Sequence, residues 1–152
     1  MIAGSDTRVV GALVLRQLSP DHVREHLAAY IAISADASPW TADHFLKELP
    51  GKWDLSFALW DALPIAYCIM SRRAGAIHIN QFMVAPNRRG CGIGARMLAE
   101  CINRGASTLK VDPKNEGAIR FYLKYGFARA GEENGYLVMA RSDLTSVGQN
   151  ST

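Results

Sequence analysis

Long apolar runs are missing from this 152-residue chain. None approaches the ~20 residues that a helix needs to cross a bilayer, so no membrane partner is expected. Cysteine is scarce and odd in number, with only Cys68, Cys91 and Cys101. They have neither the even count of a disulfide framework nor the paired spacing of a zinc site. Free thiols in a reducing compartment follow, so a cytoplasmic protein without a metal is expected. The first residues, Met1 to Thr7, lack a basic region ahead of an apolar core, and no secretory signal is read there. Net charge is only +3, too small to argue for a nucleic-acid partner. No repeat, low-complexity block or composition shift divides the chain. One domain over residues 8–141 is expected, with loose termini at 1–7 and 142–152.

Apolar residues make up 49% and charged residues 20%, as in soluble globular domains large enough to bury a core. The charge is unevenly placed. Residues 86–125 hold Arg88, Arg89, Arg96, Arg104, Lys110, Lys114, Arg120 and Lys124 against Glu100, Asp112 and Glu116, which is +5 and leaves −2 elsewhere. A positive field beside a glycine-rich loop suits a small polyphosphorylated ligand; a solvated basic face is an equal reading of charge alone.

Val9 to Leu18 reads as a first strand. Ser19-Pro20 sets an N-cap and a first-turn proline for a helix carrying Val23, Leu27, Tyr30 and Ile31. A second helix starts at Thr41, with Trp40 and Phe45 placed to staple it and Pro50-Gly51 to end it. Leu55–Trp60, Ile65–Ser71 and Ala76–Val84 read as an antiparallel meander. Helical spacing follows over Gly92–Arg104, then a strand at Thr108–Val111 and a helix over Glu116–Tyr125 stopped by Gly126. Phe127–Ala130 and Tyr136–Arg141 flank Asn134-Gly135, a strong hairpin signal. The order expected is β-α-α-β-β-β-α-β-α-β-β.

The chemistry concentrates in Gln81-Phe-Met-Val-Ala-Pro-Asn-Arg-Arg-Gly-Cys-Gly-Ile-Gly-Ala95. A strand ends near Val84, a basic loop follows, and glycines open a helix. Gly90, Gly92 and Gly94 allow the backbone to approach a ligand and to aim several N–H groups at one point. The helix adds unpaired N–H groups and the positive end of its dipole. That combination is suited to a pyrophosphate, with Arg88 and Arg89 adding charge at the rim. Further on, Asn115 precedes a helix in which Tyr122 lies on the apolar side, where a phenol usually has a polar partner.

Arg89-Gly-Cys-Gly92-Ile-Gly94 resembles the R/Q-x-x-G-x-G/A signature of the GNAT superfamily of N-acetyltransferases. Asn115…Ala118…Phe121-Tyr122…Gly126-Phe127 is similar to that family's second hallmark. Motif separation and element order agree over roughly residues 8–141. The resemblance implies an α/β (α+β) fold: a mixed, twisted sheet of about seven strands, splayed near its middle, with four helices. It implies acetyl-CoA as co-substrate and an amine as acceptor, in a monomer or homodimer. Main-chain N–H groups of Arg89, Gly90, Cys91, Gly92, Ile93 and Gly94 would bind the pyrophosphate. The strand at Phe82, Met83 and Val84 would pair with the pantetheine arm, an N–H near Val84 polarising the thioester carbonyl. Asn115 would hold the pantetheine or acyl end, and Tyr122 would protonate the departing thiolate. A short likeness at Ser38-Pro39-Trp40 to ribosomal-protein N-terminal acetyltransferases favours a peptide amine; a small-molecule amine is equally compatible.

One departure from the family concerns proton removal from the amine, which is mostly protonated at neutral pH. The strand His78-Ile-Asn80-Gln81-Phe82 carries no carboxylate. The position where ribosomal-protein N-terminal acetyltransferases carry a glutamate is Lys110. His78, a water held by Asn80 and Gln81, or a carboxylate from elsewhere (Asp54, Glu132 or Glu133) remain as bases. Trp40 and Trp53, with Asn80, are substrate-side candidates.

Three other patterns compete. His22-Val-Arg-Glu25-His26 fits H-x-x-E-H, but lacks a third ligand and a surrounding domain, and reads better as a polar helix face. Gly90-Cys-Gly92-Ile-Gly-Ala95 with Asp112 fits the dinucleotide fingerprint of an oxidoreductase. The loop from Val84 to Gly90 is too long for it, and the chain after Asp112 too short. A CoA-binding sensor without turnover is the remaining alternative, motivated by the missing strand carboxylate.

Overall fold

The computed structural model describes residues 7–10 and 13–142. The expected loose termini lie outside the described residues but for Thr7 and Ser142. The chain forms β1 (Thr7–Val10), β2 (Leu13–Gln17), α1 (Pro20–Glu25), α2 (Leu27–Ser34), α3 (Ala42–Leu46) and α4 (Lys52–Leu55). It continues with β3 (Phe57–Asp61), β4 (Leu63–Arg73), β5 (Ala76–Val84), α5 (Ile93–Asn103), β6 (Ala106–Val111), α6 (Glu116–Lys124), β7 (Ala128–Glu133) and β8 (Tyr136–Ala140).

The fold class is the expected one, a mixed sheet with helices on both faces, and the second half follows the expected order. The first half is more finely divided. The run read as one strand from Val9 to Leu18 is a hairpin in which Val10 pairs with Leu13. Val and Leu continue on both sides of Gly11, which conceals the break. Among the described residues the sheet therefore has eight strands, in the order β1-β2-β3-β4-β5-β6-β8-β7, rather than about seven. The first expected helix is two, because His26 leaves helical geometry (φ −116°, ψ 22°) and its N–H is shared between the His22 and Val23 carbonyls. Pro50-Gly51 also does more than end a helix, since Gly51 at φ 72° caps α4. The described residues contain six α-helices and one 3₁₀ turn over Pro86–Arg88.

Local signals act where the sequence placed them. The Ser19 hydroxyl accepts from the His22 N–H at 3.1 Å. Thr41 and His44 form a reciprocal capping box, and the Trp40 and Phe45 rings meet edge-on at 5.1 Å. Asn134 and Gly135 have φ of 52° and 85°, the doubly positive pair of a tight hairpin turn.

The side chain of Lys52 is fully buried under α3. Its ammonium donates to the carbonyls of Phe45 and Lys47, each at 2.6 Å, and of His44 at 3.4 Å, so it caps the C-terminal end of α3. Burial lowers its pKa to about 8, so the charge persists at neutral pH. Lys52→Met keeps the stem and strands these carbonyls. It should lower unfolding free energy by about 2–4 kcal/mol in a denaturant titration.

Two apolar layers sandwich the sheet. On one face Met97, Leu98 and Cys101 of α5 and Ile119 and Tyr122 of α6 pack on Phe57, Leu59, Cys68, Ile79 and Leu109. On the other, Val23, Tyr30, Ile33 and Phe45 from α1–α3 pack on Ala58, Trp60, Tyr67, Ile69 and Met83. This second layer draws no residue from β6, β7 or β8. Among the described residues, that part of the sheet is left without a helical cover.

Candidate active site

Every strand pair is antiparallel except β5 with β6. Those two pair only over Ile77–Ile79 and Ala106–Leu109, then part. Beyond Ile79 the β6-facing edge of β5 is unpaired by β6, and the gap opens into a cleft of about 1090 Å³. The polarity of this edge follows from the β4 register. Ala85 N–H donates to the Ile65 carbonyl at 2.7 Å, which makes Ile65 and Ala85 a hydrogen-bonded pair. By antiparallel alternation Phe82 and Val84, opposite Cys68 and Ala66, turn their N–H and C=O groups to the open edge. An extended ligand laid in the gap would meet a ready strand edge.

The glycine loop closes one end of the cleft. Gly90 and Gly92 have φ of 80° and 81°, and a Cβ built on either meets nothing within 4 Å. The conformation requires glycine, and the space above it is open to a ligand. Gly94 sits inside α5, and its virtual Cβ would touch Phe121 at 3.5 Å, so its smallness serves helix packing. The first backbone bond of α5 runs from Arg96 N–H to the Gly92 carbonyl. The N–H groups of Gly92 to Ala95 therefore precede the helical ladder, at the positive end of the dipole.

Asn115 and Tyr122 reach the cleft from α6. The Asn115 side-chain oxygen Oδ1 caps the helix by accepting from Ala118 N–H at 3.1 Å, which leaves its side-chain NH₂ for a ligand. Tyr122 is 8% exposed and packs edge-on to Phe82, Phe121 and Phe127. Burial, with the thiols of Cys68 and Cys101 adding to it, holds its phenol well above the usual pKa, so it stays protonated. Those thiols are free, buried and 3.3 Å apart.

At the other end the cleft is lined by Ser38, Trp40, His78, Asn80, Gln81, Lys110, Asn134 and Tyr136. Asn80 is the extra residue of a bulge between β4 and β5, where Met70 pairs with Ile79 and Ile69 with Gln81. Its side-chain oxygen accepts from Ser71 at 2.8 Å. The Gln81 amide donates to the Ser38 carbonyl at 2.9 Å and so ties β5 to the loop between α2 and α3. His78 has both ring nitrogens engaged, Nδ1 with the Thr108 hydroxyl at 2.8 Å and Nε2 with the Arg73 guanidinium at 3.3 Å.

Burial first, then the nearby Arg73 and Lys110 charges, lowers the His78 pKa to about 4. His22, bonded to the Tyr30 hydroxyl at 2.8 Å, is lowered to about 4 by burial and by Arg16. Both bind fewer protons folded than unfolded between pH 6.5 and 4. Stability should fall as pH drops through that window, by at most about 1.4 kcal/mol per pH unit for each histidine. Denaturant midpoints at pH 7, 5.5 and 4.5 check the sign.

Several expected site residues are elsewhere. Arg88 is paired with Asp61 at 2.6 Å and does not line the cleft. Arg89 lines it, but its guanidinium is spent, donating to Asp36 at 2.9 and 3.2 Å and through Nε to the Val84 carbonyl at 2.9 Å. The arginine rim is thus largely neutralised, and the backbone N–H groups at the head of α5 are what the loop has left to offer an anion. Ile93 turns its side chain into the core, and Cys91 is exposed outside the cleft. Trp53 is held away from the cleft by Glu48, at 2.9 and 3.0 Å from its indole N–H. Asp54 and Glu132 do not line the cleft, and Glu133 is bonded to Lys110 and Arg73. Tyr125 and Tyr136 line it and were not singled out from sequence, while Asp112, Phe121 and Asn134 line it although they stood out only for the dinucleotide pattern, the second hallmark and the hairpin turn. Strand alternation from Lys110 would have flagged Asp112.

The H-x-x-E-H pattern forms an aromatic cluster, with His22 and His26 rings 5.6 and 4.8 Å from Trp60. No metal-binding group is found among the described residues. After Asp112 the chain gives α6 and a hairpin, without the further βα units of a dinucleotide fold.

Comparison with known proteins agrees with this geometry. The family model described as "Acetyltransferase (GNAT) family" matches residues 23–127. Peptidyl-lysine N-acetyltransferase YjaB of Escherichia coli is 29% identical over 93 residues, 57% of this chain and 55% of that protein. The chain thus matches just over half the length of this curated relative. Among solved structures, the ribosomal-protein-S18-alanine N-acetyltransferase of Escherichia coli superposes with a TM-score of 0.68 at 23% identity, covering 85% of this chain and 92% of that one. PaiA N-acetyltransferase of Thermoplasma acidophilum, solved in complex with coenzyme A, gives 0.65 at 17%, covering 86% and 98%. The splayed sheet, the glycine loop at the head of α5 and the family match converge: the chain belongs to the GNAT acetyltransferase family, enzymes that use acetyl-CoA as co-substrate.

Proposed function

We propose that the protein transfers an acetyl group from acetyl-CoA to a primary amine by direct attack. The observation that carries this reading is the open β5 edge at Phe82 and Val84, flanked by the glycine loop and by a protonated Tyr122. The pyrophosphate would take the N–H groups of Gly90 to Gly94, and the pantetheine would pair along the open edge. The amine nitrogen attacks the thioester carbon while the oxyanion is met by the Val84 N–H, an interaction worth about 3 kcal/mol in such sites. The C–S bond then breaks and the thiolate takes the Tyr122 proton.

With both His78 nitrogens engaged and the Gln81 amide tied to Ser38, the amine's proton is best passed to a water anchored by Asn80. The acceptor enters over the uncovered face of β6 and β8. That opening admits a peptide or protein amine, as the peptidyl-lysine activity of the curated relative supports, and equally a small-molecule amine.

The absence of a carboxylate on β5 also suits a second reading, an acetyl-CoA sensor without turnover. Calorimetric titration with acetyl-CoA, with NAD as control, followed by thiol release in the presence of lysyl peptides and small amines, tests both. Saturable one-site binding with amine-dependent thiol release is expected. Binding without release from any amine would leave the sensor, and no binding by folded protein would remove both.

A further inference from the structure

The acceptor end of the cleft is rich in hydrogen-bond donors. Lys110 and Thr108 share one face of β6, and Lys110 pairs in register with Val138 of β8. Tyr136, two residues earlier on β8, therefore lies on the same face, where it is 49% exposed. Lys110 lines the cleft and is bonded to Glu133 at 2.5 Å, while Arg73 reaches the same Glu133 oxygen at 3.1 Å. Two cations thus share one carboxylate, and the group keeps a net positive charge. His78 adds none, because it is neutral at pH 7. Asn80 has its oxygen occupied by Ser71, so its two N–H groups remain, one for the water of the proposed mechanism and one for a ligand. Asp112 also lines the cleft, but it belongs to the turn into α6, where its carboxylate accepts from Lys114 N–H. Glu133 is half exposed on the hairpin and Lys110 is 24% exposed, so water reaches the pair and a ligand carboxylate can exchange with that of Glu133.

We propose that Lys110, assisted by the Asn80 amide, binds a carboxylate carried by the acceptor a few bonds from the amine that is acetylated. This rests on the acetyl-transfer reading above and names its substrate class: an acidic amine, either a free amino acid or a peptide with Asp or Glu beside the reacting amine. The same Lys110 charge disfavours acceptors whose only other group is a cation, such as polyamines.

The test uses matched acceptors in a thiol-release assay. One arm compares amino acids with their carboxamides. The other compares short peptides bearing Asp or Glu near the reacting amine with the same peptides bearing Asn or Gln. The wild-type enzyme should favour the carboxylate member of the productive arm by about tenfold or more in kcat/KM, the usual weight of one charge-assisted contact. Lys110→Gln should erase that preference, Lys110→Glu should invert it, and Lys110→Arg should restore most of it. Acetyl-CoA affinity, titrated for each variant, should stay at the wild-type value and certifies folding.

Equal rates on both members of every pair, or a preference that survives Lys110→Gln, would overturn the proposal. So would acetylation confined to amines that lack a carboxylate. Loss of acetyl-CoA binding by the wild-type protein would instead overturn the acetyl-transfer reading on which it rests.

Discussion

Tyr122→Phe should lower kcat by about 100-fold or more while the Kd for acetyl-CoA stays within about twofold. The change removes one hydroxyl from a ring that is 8% exposed and packed against Phe82, Phe121 and Phe127, so the aromatic packing survives. What would be lost is a phenol that burial keeps protonated, with its O–H available to the thiolate as that charge forms. Because that thiolate exists only after the C–S bond breaks, the effect belongs to the chemical step and not to ground-state binding. The deficit should shrink when the thiol leaving group is made more acidic. An unchanged kcat under conditions where chemistry limits turnover would remove Tyr122 from the mechanism.

The second large effect concerns Gly92. Gly92→Val should weaken acetyl-CoA binding by about 100-fold, with a smaller loss of stability of about 1–2 kcal/mol. The two numbers have different origins. At φ 81° any Cβ is strained, which sets the stability cost. A virtual Cβ meets nothing within 4 Å, so the added methyls would occupy space that the proposed pyrophosphate site needs rather than space that the protein fills. Gly94→Ala is the contrast. Its Cβ would make ordinary contact with Phe121 at 3.5 Å, and affinity should change little. Calorimetry with acetyl-CoA on the three proteins separates a ligand cradle from a packing glycine.

The legible parts of this site are those encoded by neighbours in the chain. The strand end at Val84, the glycines at 90 and 92 and the Asn115 cap each announce themselves within a few residues. The roles of Arg88 and Arg89 do not, because the residues that neutralise them, Asp61 and Asp36, lie 27 and 53 positions away. Trp53 is a substrate-side candidate in sequence, yet its indole N–H donates to Glu48 and the residue does not line the cleft. The split of the first strand escaped because the hydrophobic pattern of the sequence continues on both sides of it. Nothing beside Lys52 in the chain shows that α3 folds over it. Periodicity shows which face of an element is apolar, while partners brought in from distant segments decide which polar atoms remain free for chemistry.

Arg89 stands between the two walls of the cleft. Through Nε it fixes the Val84 carbonyl, and through Asp36 it reaches the loop that carries Ser38 and Trp40. A ligand that orders Arg89 should therefore also order the loop of Ser38 and Trp40, and thermodynamic linkage would make the relation mutual. The factor by which bound acetyl-CoA tightens the acceptor must equal the factor by which the acceptor tightens acetyl-CoA. Asp36→Asn, by loosening one bridge, should bring both factors toward one together.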